Sequence, residues 1–216
     1  MSGRVDLASG VLGVVDVQPT FMPGGSLPVA GGDAVVAPIN RLLARATVAF
    51  ATQDWHPPGH SSFASSHPGR APYDRIAMPY GEQVLWPDHA IQGSEEAAFH
   101  PALDVRRIAV IQRKGMDPAI DSYSTFFEND RRTPTGLHGW LRDRGITRLF
   151  LAGLATDFCV AWSAEDAVRL GYEVLVIEDA CRGIGLALPE GGTTLDAAKR
   201  GLGEMGVRFV TSDNVL

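Results

Sequence analysis

Cys159 stands in Gly153-Leu154-Ala155-Thr156-Asp157-Phe158-Cys159-Val160, where an apolar run gives way to a helical pattern. A thiol at a helix start sits beside unpaired amide donors and the positive end of the dipole, and both favour the nucleophilic thiolate. The same amides can hold an oxyanion. Most free cysteines are small buried apolar residues, so position alone leaves both readings open. Asp16 ends the apolar run in Val14-Val15-Asp16-Val17-Gln18, and Lys114 follows another in Gln112-Arg113-Lys114-Gly115. Singly, the aspartate reads as a loop-starting hydrogen-bonder and the lysine as a solvated strand end. Together with Cys159 they read differently. Asp16 can take the thiol proton and later give it to a departing amine, while Lys114 stabilises thiolate and carboxylate. Cys181, close to Glu178 and Asp179, has acids that oppose its thiolate and reads as structural.

A second set has the chemistry of a metal site. In Gln53-Asp54-Trp55-His56 a carboxylate and an imidazole stand two residues apart, and in an extended segment residues i and i+2 point the same way. His89, in Trp86-Pro87-Asp88-His89, can add a second imidazole from a loop. Two histidines and one carboxylate with open positions suit Zn²⁺ or non-haem Fe²⁺, with Mn²⁺ also compatible. His60 and Ser61 are left open as further ligands, direct or through water. His67, His100 and His138 read as ordinary polar residues. Phe21, Trp86 and Tyr123 lie near Asp16, His89 and Lys114 in sequence, and each taken alone is an ordinary aromatic. As a group beside a metal they suit a planar heteroaromatic ligand.

The elements that must carry these residues alternate. Strands are expected at Val11–Val15, 47–52, 108–112, 149–154, 173–177 and 207–210. Helices are expected after Asp33, with Asp33 as cap, and at 137–144, 159–170 and 194–205. Strand and helix in alternation mean a parallel sheet covered on both faces. Asp16, Asp54, Lys114 and the 153–159 segment all follow strand carboxyl ends, the edge where such sheets bind ligands. The stretch 57–80, rich in Pro, Gly, His and Ser, reads as a long irregular insertion near the site.

The whole chain sets the class. Its 216 residues, 45% apolar and 20% charged, fit one domain with a substantial core, taken as 1–216. A net charge of −6 opposes non-specific binding to nucleic acid, and Arg131-Arg132 reads as a solvated loop. Two cysteines are too few for a disulfide scaffold. The N-terminus lacks a leader pattern and no run is long enough to span a membrane, so a cytoplasmic protein is expected. The expected partner is a small-molecule substrate, with neither nucleic acid nor membrane, and a homo-oligomer is left open.

Asp54-Trp55-His56-Pro57, Trp86-Pro87-Asp88-His89 and Gly153–Val160, in this order and spacing, resemble the nicotinamidase (pyrazinamidase) branch of the isochorismatase-like cysteine hydrolases. The resemblance runs from Val14 to the 207–210 strand. It implies a three-layer α/β/α domain with a six-stranded parallel sheet. It implies a triad of Asp16, Lys114 and Cys159, and one divalent metal on Asp54, His56 and His89 with water completing the shell. It implies a cis peptide between Leu154 and Ala155, and an oxyanion hole from the Ala155 and Cys159 amides. The ring of nicotinamide would lie among Phe21, Trp86 and Tyr123. The activity implied is hydrolysis of nicotinamide to nicotinate and ammonia in NAD salvage, through a cysteine thioester, with pyrazinamide a further substrate. The alternative is a relative acting on a carbamoyl or ureido group.

Overall fold

β1 (Val11–Val15) carries no polar side chain, and all five residues are buried. A strand apolar on both faces belongs in the middle of a parallel sheet, and β1 lies there. In the computed structural model, which describes residues 4–189 and 191–216, the sheet has six strands. Their order is β5 (Ile108–Lys114), β2 (Ala49–Asp54), β1, β6 (Arg148–Leu154), β7 (Glu173–Arg182) and β8 (Arg208–Val210). Every neighbouring pair is parallel.

The connections leave the centre in opposite directions. α1 (Val36–Arg45) leads from β1 to β2, whereas α3 (Ala161–Arg169) leads from β6 to β7, and α4 (Thr194–Glu204) from β7 to β8. Right-handed crossovers running opposite ways put their helices on opposite faces, which gives three layers. α1 buries Ile39, Leu42 and Leu43, a stripe at helical spacing. α3 buries the small residues Ala161, Ser163, Ala164 and Ala167 and so lies close to the sheet. α4 is capped by Thr193, whose hydroxyl oxygen accepts from the Asp196 amide at 3.1 Å, as an N-cap should. α2 (Leu137–Arg142) precedes β6. The connections diverge between β1 and β6, so the crevice opens at the carboxyl ends of those strands.

Several local expectations are corrected. Asp33 does not cap α1: it sits inside a 3-10 turn, Gly32–Val35, and the helix starts from Val35 without a side-chain cap. The 57–80 stretch is not wholly irregular. It contains β3 (Arg75–Met78), which pairs antiparallel with β4 (Gly81–Val84). Both strands are largely solvent-facing, so no apolar alternation announced them. Cys159 does not open a helix. It is the fourth residue of a π-helical turn, Thr156–Val160, and α3 follows. Arg131 is no solvated loop residue: its guanidinium lies 3.6 Å from the centre of the Trp162 ring and pairs with Asp166 at 2.5 Å and Glu165 at 3.0 Å. Among the described residues no helix is long and apolar enough to cross a membrane.

One acid outside the crevice gives a testable stability effect. Burial pushes the Glu128 carboxyl up to about 7, against the pull of Ser122 and Lys114, and its Oε2 has no hydrogen-bond partner. The folded state therefore prefers the protonated acid. Its favourable effect is complete below the unfolded value of 4.5 and is lost as pH rises to about 7. Glu128→Gln is expected to flatten the fall in stability across that window and to be more stable than the parent at pH 8. Urea unfolding at several pH values checks this.

Candidate active site

Asp54 and Lys114 are register partners at the ends of β2 and β5, Asp16 follows β1, and the Thr156–Val160 turn follows β6. Sheet register thus delivers all four to one edge. At the turn's entrance Gly153 has φ +125°, and a Cβ there would lie 2.0 Å from the Val15 carbonyl oxygen, so only glycine permits this approach of β6 to β1. The Leu154–Ala155 peptide is cis.

Lys114 is the hub. It is fully buried. Its Nζ lies 2.9 Å from Asp16 Oδ2 and 3.4 Å from Cys159 Sγ, donates to the Ser122 carbonyl at 3.0 Å, and pairs with Asp54 Oδ1. Asp16 is pinned by Thr52, whose hydroxyl donates to Asp16 Oδ1 at 2.5 Å and accepts from the Asp16 amide at 3.1 Å. That leaves Oδ2 facing Lys114 and Cys159. Asp16 has φ 48°, a left-handed conformation costing a non-glycine residue ~1 kcal/mol. Gln18 holds Asp54 through its backbone, accepting from the amide at 2.8 Å and donating to the carbonyl at 2.9 Å.

Burial and charge set the protonation states. Burial disfavours the charged form of Lys114, but the two carboxylates outweigh it and hold the ammonium well above its ordinary value. Burial likewise opposes ionisation of Asp54, yet Lys114, His56 and His89 keep it well below the carboxylate range. Asp16 goes the other way: burial raises it, and Lys114 only partly offsets this. Burial, with Asp16 and Asp54, also drives the Cys159 thiol well up despite Lys114. The helix-start amides and Lys114 thus do not offset burial at this thiol. The resting group is a thiol beside a carboxylate of raised basicity, and the proton must move when substrate is in place.

On the other side of Asp54, its Oδ2 lies 3.8 Å from His56 Nε2 and 3.6 Å from His89 Nε2. Each ring's other nitrogen meets a carbonyl: His56 Nδ1 is 2.9 Å from Gly115 O, and His89 Nδ1 2.9 Å from Pro87 O. A carbonyl only accepts, so both Nδ1 atoms carry a proton and both Nε2 atoms turn to Asp54, which outweighs burial and raises His56 above its ordinary value; these Nε2 atoms, unprotonated, are the ones that would bind a cation. Asp54, His56 and His89 form a buried group whose ligand atoms lie within 4.8 Å of one another. Ligands bonded at about 2.0–2.2 Å stand roughly 3–3.5 Å apart, so small shifts suit this donor set to a divalent cation. His60 stands with His56 and Asp121 in a second buried group whose ligand atoms lie within 4.8 Å of one another. Its Nδ1 accepts from the Ser62 amide at 3.1 Å and its Nε2 meets the Asp117 carbonyl at 2.7 Å. Ser61 Oγ is buried without a hydrogen-bond partner.

Phe21, Trp86 and Tyr123 line one small cavity together with Asp54, His89, Ala155 and Cys159. Trp86 Nε1 donates to the Tyr123 hydroxyl at 3.0 Å, and Gln83 Nε2 does so at 2.8 Å, fixing both rings. Sequence reasoning missed Leu27, Asp121, Phe158 and Ile184 on the same wall. Phe158 stands next to the cysteine in the quoted motif and could have been found there. Asp121, whose Oδ1 is 3.9 Å from His56 Nε2, lies in a loop with no periodicity to place it.

The Isochorismatase domain family matches residues 11–193. A nicotinamidase of Acinetobacter baylyi is 48% identical over 203 residues, covering 94% of this chain and 92% of that one. A solved nicotinamidase/pyrazinamidase of Acinetobacter baumanii superposes with a TM-score of 0.91 at 47% identity, over 96% of this chain and 98% of that one. A pyrazinamidase of Pyrococcus horikoshii, solved in complex with zinc, gives 0.74 at 32% identity over 93% and 98%. Likeness of this extent, on a sheet whose strand ends bring the motif residues together, makes the chain a member of the isochorismatase family, in its nicotinamidase branch.

Proposed function

We propose that the chain hydrolyses nicotinamide to nicotinate and ammonia, and pyrazinamide to pyrazinoate, with Asp16, Lys114 and Cys159 as its catalytic groups and Asp54, His56 and His89 as ligands of one divalent metal. One observation carries this reading: Asp54 gives one oxygen to Lys114, which also contacts Asp16 and Cys159, and turns the other to the two imidazoles. A nucleophile and a cation site therefore meet at Asp54 on one cavity wall. The relatives support the substrate class, and the zinc complex of the Pyrococcus protein supports zinc as the ion. The nitrogen-rich set fits zinc or iron(II).

A divalent ion held there supplies a Lewis acid that anchors the ring nitrogen of the substrate. The chain's own groups do the rest. Phe21, Trp86 and Tyr123 stack around the ring and exclude water. Asp16 takes the Cys159 proton, and Sγ attacks the carboxamide carbon. The amides of Ala155 and Cys159 receive the developing oxyanion. Asp16 returns the proton to the amide nitrogen and ammonia leaves a thioester on Cys159. Asp16 then deprotonates a water, which attacks the thioester and expels the Cys159 thiolate; Asp16 returns the proton to Sγ as nicotinate leaves. Lys114 keeps its charge throughout and offsets the negative charge of the two carboxylates beside it.

The test is site-selective alkylation. Iodoacetamide is expected to modify Cys159, which lines the cavity beside Asp16 as a base, with saturating nicotinamide blocking the reaction, while Cys181, buried outside that cavity, stays unmodified. Modification of Cys159 at a rate indifferent to nicotinamide would remove the ligand from this cavity.

Gly115 tests the metal ligands. It has φ +66°, and a Cβ would lie 2.3 Å from His56 Cε1. Gly115→Ala is expected to push the His56 ring out of line and lower metal affinity about 10–100-fold, measured by chelator competition. Excess metal should recover the activity, since the variant leaves Cys159 and Asp16 in place.

A further inference from the structure

Asp157 stands two residues before the cysteine and takes no part in the chemistry, yet it is buried and carries three hydrogen bonds. Its Oδ1 accepts from the Ile184 amide at 2.9 Å, and its Oδ2 accepts from the Gly185 amide at 2.8 Å and from the Thr194 hydroxyl. The Thr194 oxygen in turn accepts from the Leu186 amide at 2.9 Å, and the Thr194 amide donates to the Leu186 carbonyl at 2.9 Å. Three successive amides, 184 to 186, are thus held by one carboxylate and one hydroxyl. No arginine, lysine or histidine pairs with Asp157 among the described residues. Its charge is met by backbone donors, as in an anion nest. Packing is equally close: a Cβ on Gly183 would lie 3.0 Å from Asp157 Oδ1 and 2.9 Å from Leu195 Cδ1.

The tethered segment bears on the site because Ile184 lines the cavity with Phe21, Leu27, Phe158 and Cys159. The segment follows the end of β7 and belongs to no helix or strand, so regular secondary structure does not fix the position of Ile184. The cavity is small and walled by side chains from several separate segments. A wall displaced by an ångström therefore changes what fits. We propose that Asp157 is a positioning residue that sets the size of substrate admitted, by tying the Ile184 wall to the turn that carries the nucleophile. This rests on the hydrolase reading above for its substrates, though not for its geometry.

The experiment compares Asp157→Asn and Ile184→Ala with the parent, using nicotinamide and 5-methylnicotinamide. Asparagine keeps the shape but turns an amide donor towards the Gly185 amide or the Ile184 amide, so the tether loosens. The ratio of kcat/KM for the methylated over the plain substrate is expected to rise about fivefold or more in both variants. For nicotinamide KM should rise more than kcat falls. A second readout needs no turnover: alkylation of Cys159 by N-phenyl iodoacetamide relative to iodoacetamide should rise in the same variants. If Asp157→Asn proves unfolded, Thr194→Val removes the hydroxyl shared by Asp157 and the Leu186 amide and is judged by the same two ratios. Both ratios unchanged in the Asp157 or Thr194 variant, with activity merely lower, would overturn the proposal, as would an unchanged ratio in Ile184→Ala. A parent protein inert towards nicotinamide would refute the substrate instead, and the alkylation ratio would still decide the role of Asp157.

Discussion

Cys159→Ala is expected to fold, hold its metal, bind nicotinamide and release ammonia at least about a thousandfold more slowly than the parent. Cys159 lies against Lys114 at one side of the cavity, and its Sγ is within 4.8 Å of an Asp16 carboxylate oxygen. Truncation to alanine removes one atom and leaves a small void beside Ala155 and Phe158, so the fold should tolerate it. The carbonyl oxygen of Cys159 accepts from Ser163 Oγ at 2.5 Å, and this backbone contact survives the substitution. Binding and turnover therefore separate. Nicotinamide affinity by calorimetry should stay within a few-fold of the parent's while the rate collapses. Substantial turnover by the variant would mean that water attacks the amide directly, and the thioester route would be wrong.

Lys114→Met is expected to lose both activity and stability. Methionine matches the stem but not the charge, and the ammonium it replaces is wholly buried between Asp16 and Asp54. Removing one member of a buried charged group leaves the others uncompensated, typically at about 3–5 kcal/mol. The pH dependence gives the sign. In the parent, Lys114 and the two histidines hold Asp54 well below its ordinary 3.8, after burial has pulled the other way. Such a group contributes stability above its unfolded pKa and loses it as pH falls through the folded value. The variant lacks most of that contribution. The gap between parent and variant should be widest near neutrality and narrow on acidification below pH 4 or so. Denaturant unfolding at pH 7 and at a pH well below 3.8 measures it. Equal stability at pH 7 would show that the carboxylates are not both charged.

Much of the site was readable because its residues follow apolar strands. β1, β2, β5 and β6 are short runs, Asp16, Asp54 and Lys114 come directly after them or at their last residue, and the turn that carries Cys159 starts two residues past β6. A parallel sheet brings consecutive carboxyl ends to one edge whatever the side chains are. The strand carrying Asp54 runs two residues further than expected, and β7 runs on to Arg182, since tertiary pairing extends a strand past its apolar stretch. What could not be read was set by contacts between distant segments. Thr52 pins Asp16 across 36 positions of sequence, Gln18 spans the same separation to hold Asp54, and Gln83 reaches Tyr123. None has a spacing that betrays it. The depth at which Cys159 lies also escaped, because a helix start does not show how much of the fold closes over it, and burial is what raises the thiol most. The β3–β4 hairpin escaped for the opposite reason: it faces solvent, so burial left no pattern in its residues.

The central claim is that one lysine-centred cysteine site and one metal site act on the same small ring. Ammonia release from nicotinamide by purified protein, before chelation, after it and after metal return, tests this most directly. The account predicts release that falls with loss of metal from Asp54, His56 and His89 and recovers when zinc or iron(II) is restored. No release from fully metallated protein, or undiminished release from protein shown to be metal-free, would contradict it.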